Sequence, residues 1–394
     1  MKELLIVGAG KIGRGVIGSL FFEAGYHLYI YGFRAERMRR LKEQGSYLVE
    51  RSGEEGSERI LIDNFDALDS SDSSDLIAHM KRVDLIACCV YDNVFEHICQ
   101  SLKEAIIYRA DHDAEPFNVL LCVNALGAPD YFETKLTEML AGNEKATAYL
   151  KEKTGICQVL VEMPGVPAPK ELLEEDPFAV SVGSTGHIEI DEDAFIGELP
   201  KVRLVNGVKR GKARVYQKVY CGNMRHCMLA FLGKARGYTY ICDTYGDEWL
   251  ENSVLHAFYE ADAAVQAEYQ FDEKDHQLFL KFTEDALKSQ QIKDPIQRVA
   301  ADPKTKLSRS NRFVGPALLC IKHHIVPFYL AKGIAYGFLY REESDAASVE
   351  ITDYVKENGI EKAIEKYCGL GEEDWALKQL IIAQYEEACK FPVK

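Results

Sequence analysis

The sequence predicts an α/β domain built on a doubly wound, mostly parallel sheet, followed by an all-α domain. Short apolar segments alternate with helix-period segments through the first half of the chain. A glycine-rich turn directly follows the first apolar segment. Beyond about residue 205, long helix-period segments dominate and strand patterns nearly vanish. We therefore predict two domains, 1–205 and 206–394.

Each element follows from its hydrophobic period and from its flanking turn residues. The predicted strands of the first domain are 3–7, 27–31, 84–90, 118–124 and 156–163, with extra strands at 178–182 and 187–190. One predicted helix ends near residue 24, a second covers 35–44, a third follows residue 90, and a fourth runs from 129 to about 153. The second domain's main helices are predicted at 215–234, 248–269, 273–288 and 316–340. Strands joined by crossover helices are typical of a doubly wound sheet.

Composition excludes several classes of protein. Of the 394 residues, 47% are hydrophobic and 28% charged, which is ordinary for a folded globular chain. The 62 Asp and Glu outnumber the 47 Lys and Arg, and a net charge of −15 argues against general nucleic-acid binding. However, 199–242 holds ten Lys and Arg and no acid. This basic stretch either reserves a place for an anionic ligand or is a charged surface balanced by acids elsewhere.

Cysteine usage points to a reducing compartment. The eleven cysteines form no CxxC pair and no Cys/His spacing of a zinc site, so we expect neither disulfides nor a metal. The first residues run straight into a strand without a signal-peptide pattern, and no apolar run is long enough for a membrane span. We therefore expect a cytoplasmic protein with no membrane partner.

The glycine turn predicts a dinucleotide site. Gly8, Gly10 and Gly13 form G-x-G-x-x-G between a strand and a helix, with Lys11 and Ile12 inside the motif. In a Rossmann-like domain the first glycine allows the tight turn, the second admits the pyrophosphate, and the third lets helix and strand pack closely. Helix-terminal amides then bind the phosphates. The alternative is a structural turn that binds nothing.

The end of the second strand bears on the choice between NAD and NADP. An acid there would accept hydrogen bonds from the ribose 2′-hydroxyl, but the sequence has Gly32, with Arg34 two residues later. Without that acid, no carboxylate repels the 2′-phosphate of NADP, and guanidinium groups are available to bind it. The sequence therefore favours NADP. The alternative is that Glu36 binds the ribose and the arginines form a solvated helix face.

One predicted helix in the basic stretch carries residues suited to alcohol–ketone chemistry. Lys218, Asn223 and His226 lie at i, i+5 and i+8, which in an α-helix places Asn223 roughly 140° and His226 roughly 80° from Lys218. A lysine can exchange the hydroxyl proton, and Asn and His can hold the oxygen as charge develops. The alternative is a solvated lysine and an ordinary helix histidine.

These motifs together resemble the polyol-specific long-chain dehydrogenases, and within them the branch that acts on mannitol 1-phosphate. The resemblance rests on GAGKIGRGVIG and on K-x4-N-x2-H, and it extends through most of the chain. It implies metal-independent catalysis with Lys218 as general base, Asn124 and Asn223 around the substrate oxygen, and His226 orienting the substrate between the domains. It further implies substrate contacts at Glu162, Arg298 and Lys306.

The sequence also departs from the family pattern. Gly32 replaces the acid after the second strand, Val123 replaces an expected Glu, and Met163 replaces an Arg. We therefore predict an NAD(P)-dependent oxidoreductase that interconverts a sugar alcohol and a ketose, foremost mannitol 1-phosphate and fructose 6-phosphate. A reductase of another keto-sugar, such as a hexuronate or a free ketose, and a catalytically inactive nucleotide sensor remain the alternatives.

Overall fold

The computed structural model describes residues 2–53, 56–288 and 293–390. The chain forms two compact units that divide between Val215 and Tyr216. The boundary predicted near residue 205 lies at the start of the last strand of the first unit, and the division into 1–205 and 206–394 stays a prediction.

The first unit contains twelve strands in the described residues. They are β1 Lys2–Val7, β2 Tyr26–Tyr31, β3 Tyr47–Gly53, β4 Gly56–Ile62, β5 Phe65–Ala67, β6 Leu85–Cys88, β7 Phe117–Leu121, β8 Thr154–Val161, β9 Gly165–Val166, β10 Val180–Gly183, β11 Ile188–Asp191 and β12 Val205–Val208. Eight of them form the main sheet in the order β12-β11-β8-β7-β6-β1-β2-β5.

The main sheet is parallel from β5 to β8, and β11 is antiparallel to β8. The strand order reverses between β1 and β6, the switch point at which doubly wound sheets bind ligands beyond the carboxyl ends of their strands. The glycine turn follows β1 and therefore lies at this point.

The main sheet is buried on both faces, which explains its nearly continuous apolar strands. Along β1, Leu5 and Val7 face one hydrophobic cluster, whereas Leu4 and Ile6 face another. The helices of this unit are α1 Gly18–Glu23, α2 Ala35–Gln44, α3 Ser74–Met80, α4 Phe95–Asp111, α5 Ala128–Met139, α6 Glu144–Lys153, α7 Lys170–Glu175 and α8 Gly211–Gln217, whose last two residues lie in the second unit. The predicted fold class of this unit, a Rossmann-like doubly wound domain, is confirmed.

A second sheet of four strands, β4-β3-β10-β9, differs from the prediction. The β3–β4 hairpin was not predicted because charged residues interrupt its apolar pattern, as in YLVERSG and GSERILI. The strand predicted at 178–182 belongs to this sheet as β10, which pairs with β3. The single helix predicted from 129 to 153 is two helices, and the Asn143 side chain accepts a hydrogen bond from the Ala146 amide to begin the second.

The second unit is helical, and after β12 the described residues contain no strand longer than an isolated bridge. Its helices are α9 Met224–Ala235, α10 Glu248–Tyr269, α11 Glu273–Lys288, α12 Ile296–Ala300, α13 Pro303–Lys306, α14 Val314–Lys322, α15 Phe328–Leu339, α16 Ala346–Asn358, α17 Ile360–Ala363 and α18 Trp375–Lys390. The helix α15 is apolar around most of its circumference and packs against α9, α10, α14 and α18. The predicted all-α domain is confirmed, although the helix predicted at 316–340 is divided into α14 and α15.

Two observations concern the whole described chain. All eleven cysteines are free thiols, and eight of them are buried. None of the described helices is both long enough and apolar enough to cross a bilayer.

Candidate active site

The three glycines of the turn meet different surroundings in the structure. Gly8 has a φ of 115°, and a Cβ on it would lie 2.2 Å from the Cys89 carbonyl oxygen. A Cβ on Gly13 would lie 1.9 Å from the Gly8 carbonyl oxygen, so the helix packs directly on the turn. Both positions therefore require glycine for the close approach of backbone to backbone.

Gly10 is different, because a Cβ there would meet no atom within 4 Å. Gly10 is exposed and caps a π-helical turn, Lys11–Ile17, that leads into α1. The Arg14 amide donates to the Gly10 carbonyl at 2.9 Å, so the preceding amides lack acceptors within the helix. Open space above a helix start with available amides fits a pyrophosphate.

The buried side chain of Arg14 fixes the start of this helix. Its Nε donates to the Ala9 carbonyl at 2.8 Å, and its Nη1 donates to the Phe178 carbonyl at 2.5 Å. The Tyr47 hydroxyl donates to the Arg14 carbonyl at 3.1 Å. Burial lowers the pKa of Arg14 to about 10. The second sheet thus supports the glycine turn through Arg14. Sequence analysis missed this role because Arg14 occupies a variable position of the motif.

The end of β2 has no space for an acidic side chain. A Cβ on Gly32 would lie 2.7 Å from the Met38 sulfur and 2.9 Å from the Ala9 Cβ. Arg34 is exposed, and its guanidinium has neither a hydrogen bond nor an ion pair within residues 2–53, 56–288 and 293–390. The carboxylate of Glu36 is already bound by Arg39, with an Nη2–Oε1 distance of 2.8 Å.

Two further arginines extend this positive surface. Arg37 and Arg40 lie with their guanidinium carbons 5.5 and 5.9 Å from the centre of the Phe178 ring. Together with Arg34 and Phe178 they line a hollow of about 340 Å³ beside the end of β2. Cations around an aromatic ring at this position suit an anionic group on an adenosine ribose.

Asn124 lies beyond β7 rather than within it, since the strand ends at Leu121 and not at 124 as predicted. Its side chain is exposed. The buried Gln158 amide donates to the carbonyls of Leu121 and Val123, at 3.3 and 3.1 Å, and so fixes the backbone just before Asn124. Gln158 was missed because a glutamine within a strand shows no pattern that marks a support.

Glu162 follows β8, and its amide donates to the His187 carbonyl at 2.9 Å. It is partly exposed and follows a strand of the same parallel sheet as the glycine turn and Asn124. The carboxyl ends of β1, β7 and β8 thus carry the predicted residues of the first unit on one edge of the sheet.

In the second unit, the Lys218 helix departs from α-helical geometry. Lys218–Asn223 is a π-helix between α8 and α9, and the Met224 amide donates to the Val219 carbonyl five residues back. A π turn pairs residues i and i+5, so Lys218 and Asn223 lie one turn apart. The separation of roughly 140° expected for an α-helix is therefore wrong.

The predicted catalytic residues share one face of this helix. Lys218, Asn223 and His226 are partly exposed, whereas residues 219–221, 224, 225 and 227 are buried. Gly222 lies on the same face, and a Cβ on it would meet no atom within 4 Å. The structure thus brings an amine, an amide and an imidazole together on an open surface of one helix.

His226 contacts a carboxylate that sequence analysis missed. Its Nε2 lies 3.3 Å from Asp294 Oδ2, and Arg298 binds the same carboxylate through Nε at 2.6 Å and through Nη2. Burial raises the pKa of Asp294, but hydrogen bonds from His226 and Arg298 outweigh it and lower the pKa to about 2. Asp294 lies far from His226 in sequence, so no local spacing indicated the pair.

The two predicted substrate contacts of this unit differ in their surroundings. The guanidinium of Arg298 is held by Asp294, whereas the Lys306 ammonium donates to the Ala301 carbonyl. Burial lowers the pKa of Lys306. Substrate binding by Arg298 and Lys306 stays a prediction.

Several cations of the basic stretch 199–242 fit the second interpretation of its composition, a charged surface balanced by acids elsewhere. Four cations bind carboxylates outside the stretch: Arg203 with Glu23, Lys212 with Asp130 and Glu133, Lys234 with Glu342, and Arg236 with Asp247. These four belong to a charged surface balanced by acids.

No group of three His, Cys, Asp or Glu side chains suited to a metal ion occurs in the part of the chain that the structure describes.

The glycine turn at the switch point, the parallel sheet and the helical second unit define a Rossmann-type dehydrogenase.

Two family models place the chain within this class. The mannitol dehydrogenase Rossmann domain matches residues 2–204, and the mannitol dehydrogenase C-terminal domain matches residues 213–372. The chain therefore belongs to the mannitol dehydrogenase family and is a polyol dehydrogenase. The family membership predicted from the two motifs is confirmed.

Curated relatives match along nearly the whole chain. Mannitol-1-phosphate 5-dehydrogenase of Thermoanaerobacter pseudethanolicus is 28% identical over 391 residues, with 98% of each chain covered. Mannitol-1-phosphate 5-dehydrogenase of Anoxybacillus flavithermus is 28% identical over 367 residues, with 92% of this chain and 94% of the relative covered.

Solved structures share the fold at low sequence identity. Pseudomonas fluorescens mannitol 2-dehydrogenase, in a ternary complex with NAD and D-mannitol, superposes with a TM-score of 0.72 at 15% identity. That comparison covers all of this chain and 92% of the other. A substrate-free D-sorbitol dehydrogenase gives a TM-score of 0.71 at 14% identity, covering 99% and 93%.

Proposed function

We propose that this polyol dehydrogenase interconverts mannitol 1-phosphate and fructose 6-phosphate with a nicotinamide dinucleotide and without a metal. The observation that carries the proposal is the open helix face on which Lys218, Asn223 and His226 lie together beside Gly222. The near full-length similarity to two mannitol-1-phosphate 5-dehydrogenases supports the substrate. The free cysteines are consistent with the cytoplasmic location expected from the sequence.

Each site residue has a role in this proposal. A nicotinamide dinucleotide bound at the glycine turn would supply the hydride for reduction of the C2 carbonyl of fructose 6-phosphate. Lys218 donates a proton to the resulting alkoxide and takes it back in the oxidative direction. The amides of Asn124 and Asn223 stabilise negative charge on that oxygen, and His226 orients the substrate. Glu162, Arg298 and Lys306 contact the remaining polar groups of the substrate.

The first unit provides the dinucleotide site, in which the turn of Gly8, Gly10 and Gly13, with Lys11 and Ile12, receives the pyrophosphate. We infer a preference for NADP over NAD. Gly32 is packed against Met38 and Ala9, so no carboxylate repels a 2′-phosphate there. The guanidinium of Arg34 is available to bind it, while Glu36 is engaged by Arg39.

A panel of substrates and coenzymes tests this function. Initial reduction rates are measured with fructose 6-phosphate, fructose and fructuronate, each with NADPH and with NADH. We expect the highest kcat/KM for fructose 6-phosphate with NADPH. A higher value for fructuronate or free fructose would assign the enzyme to another keto-sugar. Dinucleotide binding without turnover of any sugar would indicate a nucleotide sensor.

A further inference from the structure

The segment from Arg298 to Arg312 holds five cations that divide into two groups. Three of them bind carboxylates: Arg298 with Asp294, Lys304 with Glu350, and Arg309 with Asp374. Lys306 and Arg312 have no carboxylate within 4.0 Å among the residues that the structure describes. In a chain with an excess of acids, two neighbouring cations without a counter-ion require an explanation.

Neither of these two cations is freely solvated. Both side chains are only partly exposed, and burial lowers the pKa of each. The Lys306 ammonium donates to the Ala301 carbonyl, while Arg312 donates from Nε to Asn311 Oδ1 at 3.2 Å. The two terminal nitrogens of Arg312 have no acceptor within the described ranges of the chain. Cations removed from water without a partner are costly, which favours binding of an anion.

The pair lies beside the candidate catalytic helix. The thiol of Cys227 is fully buried, and burial raises its pKa to about 11, while Arg312 and Lys306 act on it in the opposite direction. Phe313, which directly follows Arg312, stacks on Phe231 of α9 with ring centres 5.6 Å apart, so this part of the segment packs against the helix that carries His226. An anion bound by the pair would lie near the residue proposed to orient the substrate.

We propose that Arg312 and Lys306 form a phosphate subsite that makes this enzyme select phosphorylated polyols and ketoses. A guanidinium presents a planar fork to phosphate oxygens, and an ammonium adds a compact positive charge. The inference rests on the proposed function, for which it names the residues that bind the substrate phosphate.

Kinetics of the Arg312→Met enzyme test the subsite directly. We expect kcat/KM for fructose 6-phosphate to fall roughly 30- to 100-fold, as for loss of a charge-assisted contact, with no change for free fructose. Arg312→Lys should recover part of the loss. The matched control is Lys304→Met, which removes a nearby cation already bound to Glu350 and should leave both values unchanged. An equal loss on both sugars, or no loss on either, would overturn the proposal.

A binding measurement separates this proposal from the function on which it rests. Calorimetry with inorganic phosphate, at a saturating NADPH concentration that occupies the dinucleotide site, should detect binding to the wild type and to Lys304→Met, but not to Arg312→Met or Lys306→Met. Phosphate binding that depends on Arg312 in a protein without sugar turnover would retain the subsite and reject the proposed function. If the enzyme turns over fructose 6-phosphate but Arg312→Met and Lys306→Met leave phosphate binding unaffected, the proposed function is retained and the subsite is rejected. If Arg312→Met does not fold, Lys306→Met gives the same comparison.

Discussion

At the scale of single residues, the contact between His226 and Asp294 organises the open face of the Lys218 helix. The carboxylate of Asp294 lies 3.3 Å from the imidazole and is also held by Arg298. Its carbonyl accepts a hydrogen bond from the Ile241 amide at 2.9 Å, so the backbone that carries it is fixed as well. We therefore expect Asp294 to position His226.

Replacing Asp294 with Asn tests this positioning. We expect Asp294→Asn to lower kcat/KM by about 10-fold, mainly through KM, because the imidazole loses its charged partner. Asp353→Asn removes a surface ion pair with Arg341 and should leave both parameters unchanged. A KM equal to that of the wild type would show that Asp294 does not position His226.

The lowered pKa of Asp294 predicts how the stability difference between the wild type and the same variant depends on pH. The pKa of Asp294 is lowered to about 2, so its ionised form stabilises the folded state. The stabilisation relative to Asp294→Asn should be complete above about pH 5 and should disappear as the pH falls toward 2. The free energy of unfolding of both proteins across this range gives the comparison. A constant difference down to pH 2 would contradict the lowered pKa.

Sequence analysis found residues that lie in local motifs and missed those that act across the fold. Lys218, Asn223 and His226 have a fixed spacing on one helix, and the glycines have a fixed spacing on one turn. Arg14, Gln158 and Asp294 act through partners distant in sequence. Their partners become visible only when the chain is folded.

At the scale of elements, Gly10 and Gly13 belong to one sequence motif but differ in whether packing requires glycine. Gly13 is needed for packing, since its Cβ would lie 1.9 Å from a backbone oxygen. Gly10 is not needed for packing, since its Cβ would meet nothing within 4 Å and its φ is −83°. An alanine at each position should therefore have different consequences.

We expect Gly10→Ala to leave the free energy of unfolding unchanged and to weaken NADPH binding by about 10-fold or more, because the methyl group enters the phosphate space. Gly13→Ala should instead destabilise the fold by roughly 1–3 kcal/mol through overpacking. Chemical unfolding and dinucleotide titration of both variants distinguish the two effects. Unchanged NADPH binding by Gly10→Ala would remove the turn from the phosphate site.

Elements differ in how well their sequence predicts them. The strands of the main sheet are buried on both faces, so their apolar runs identify them. The β3–β4 hairpin is partly solvated and charged, and its strands were missed. The π-helix at Lys218–Asn223 leaves no pattern in the residue types, because a change from i+4 to i+5 hydrogen bonds involves only the backbone.

At the scale of the whole molecule, the two units carry different parts of the proposed reaction. The first unit, up to Val215, contains the glycine turn and the arginines beside the end of β2. The second unit, from Tyr216, contains Lys218, His226, Asp294 and the pair of Lys306 and Arg312. The change in hydrophobic period along the sequence predicted this two-part organisation, because strand patterns end where the helical part begins.

This division of tasks predicts that dinucleotide binding and proton transfer can be separated by one substitution. Lys218→Ala removes the proposed general acid and base and leaves every residue of the glycine turn in place. Lys234→Ala is the matched control on the adjoining helix α9, since Lys234 forms an ion pair with Glu342 at 2.8 Å.

The most direct test is therefore the turnover of Lys218→Ala with fructose 6-phosphate, measured together with the dissociation constant for NADPH. The account predicts a fall in kcat of roughly 10²- to 10⁴-fold, as for loss of a general acid–base group, with the NADPH dissociation constant unchanged. Lys234→Ala should keep the turnover of the wild type. Near-normal turnover by Lys218→Ala would contradict the central claim that this lysine transfers the proton.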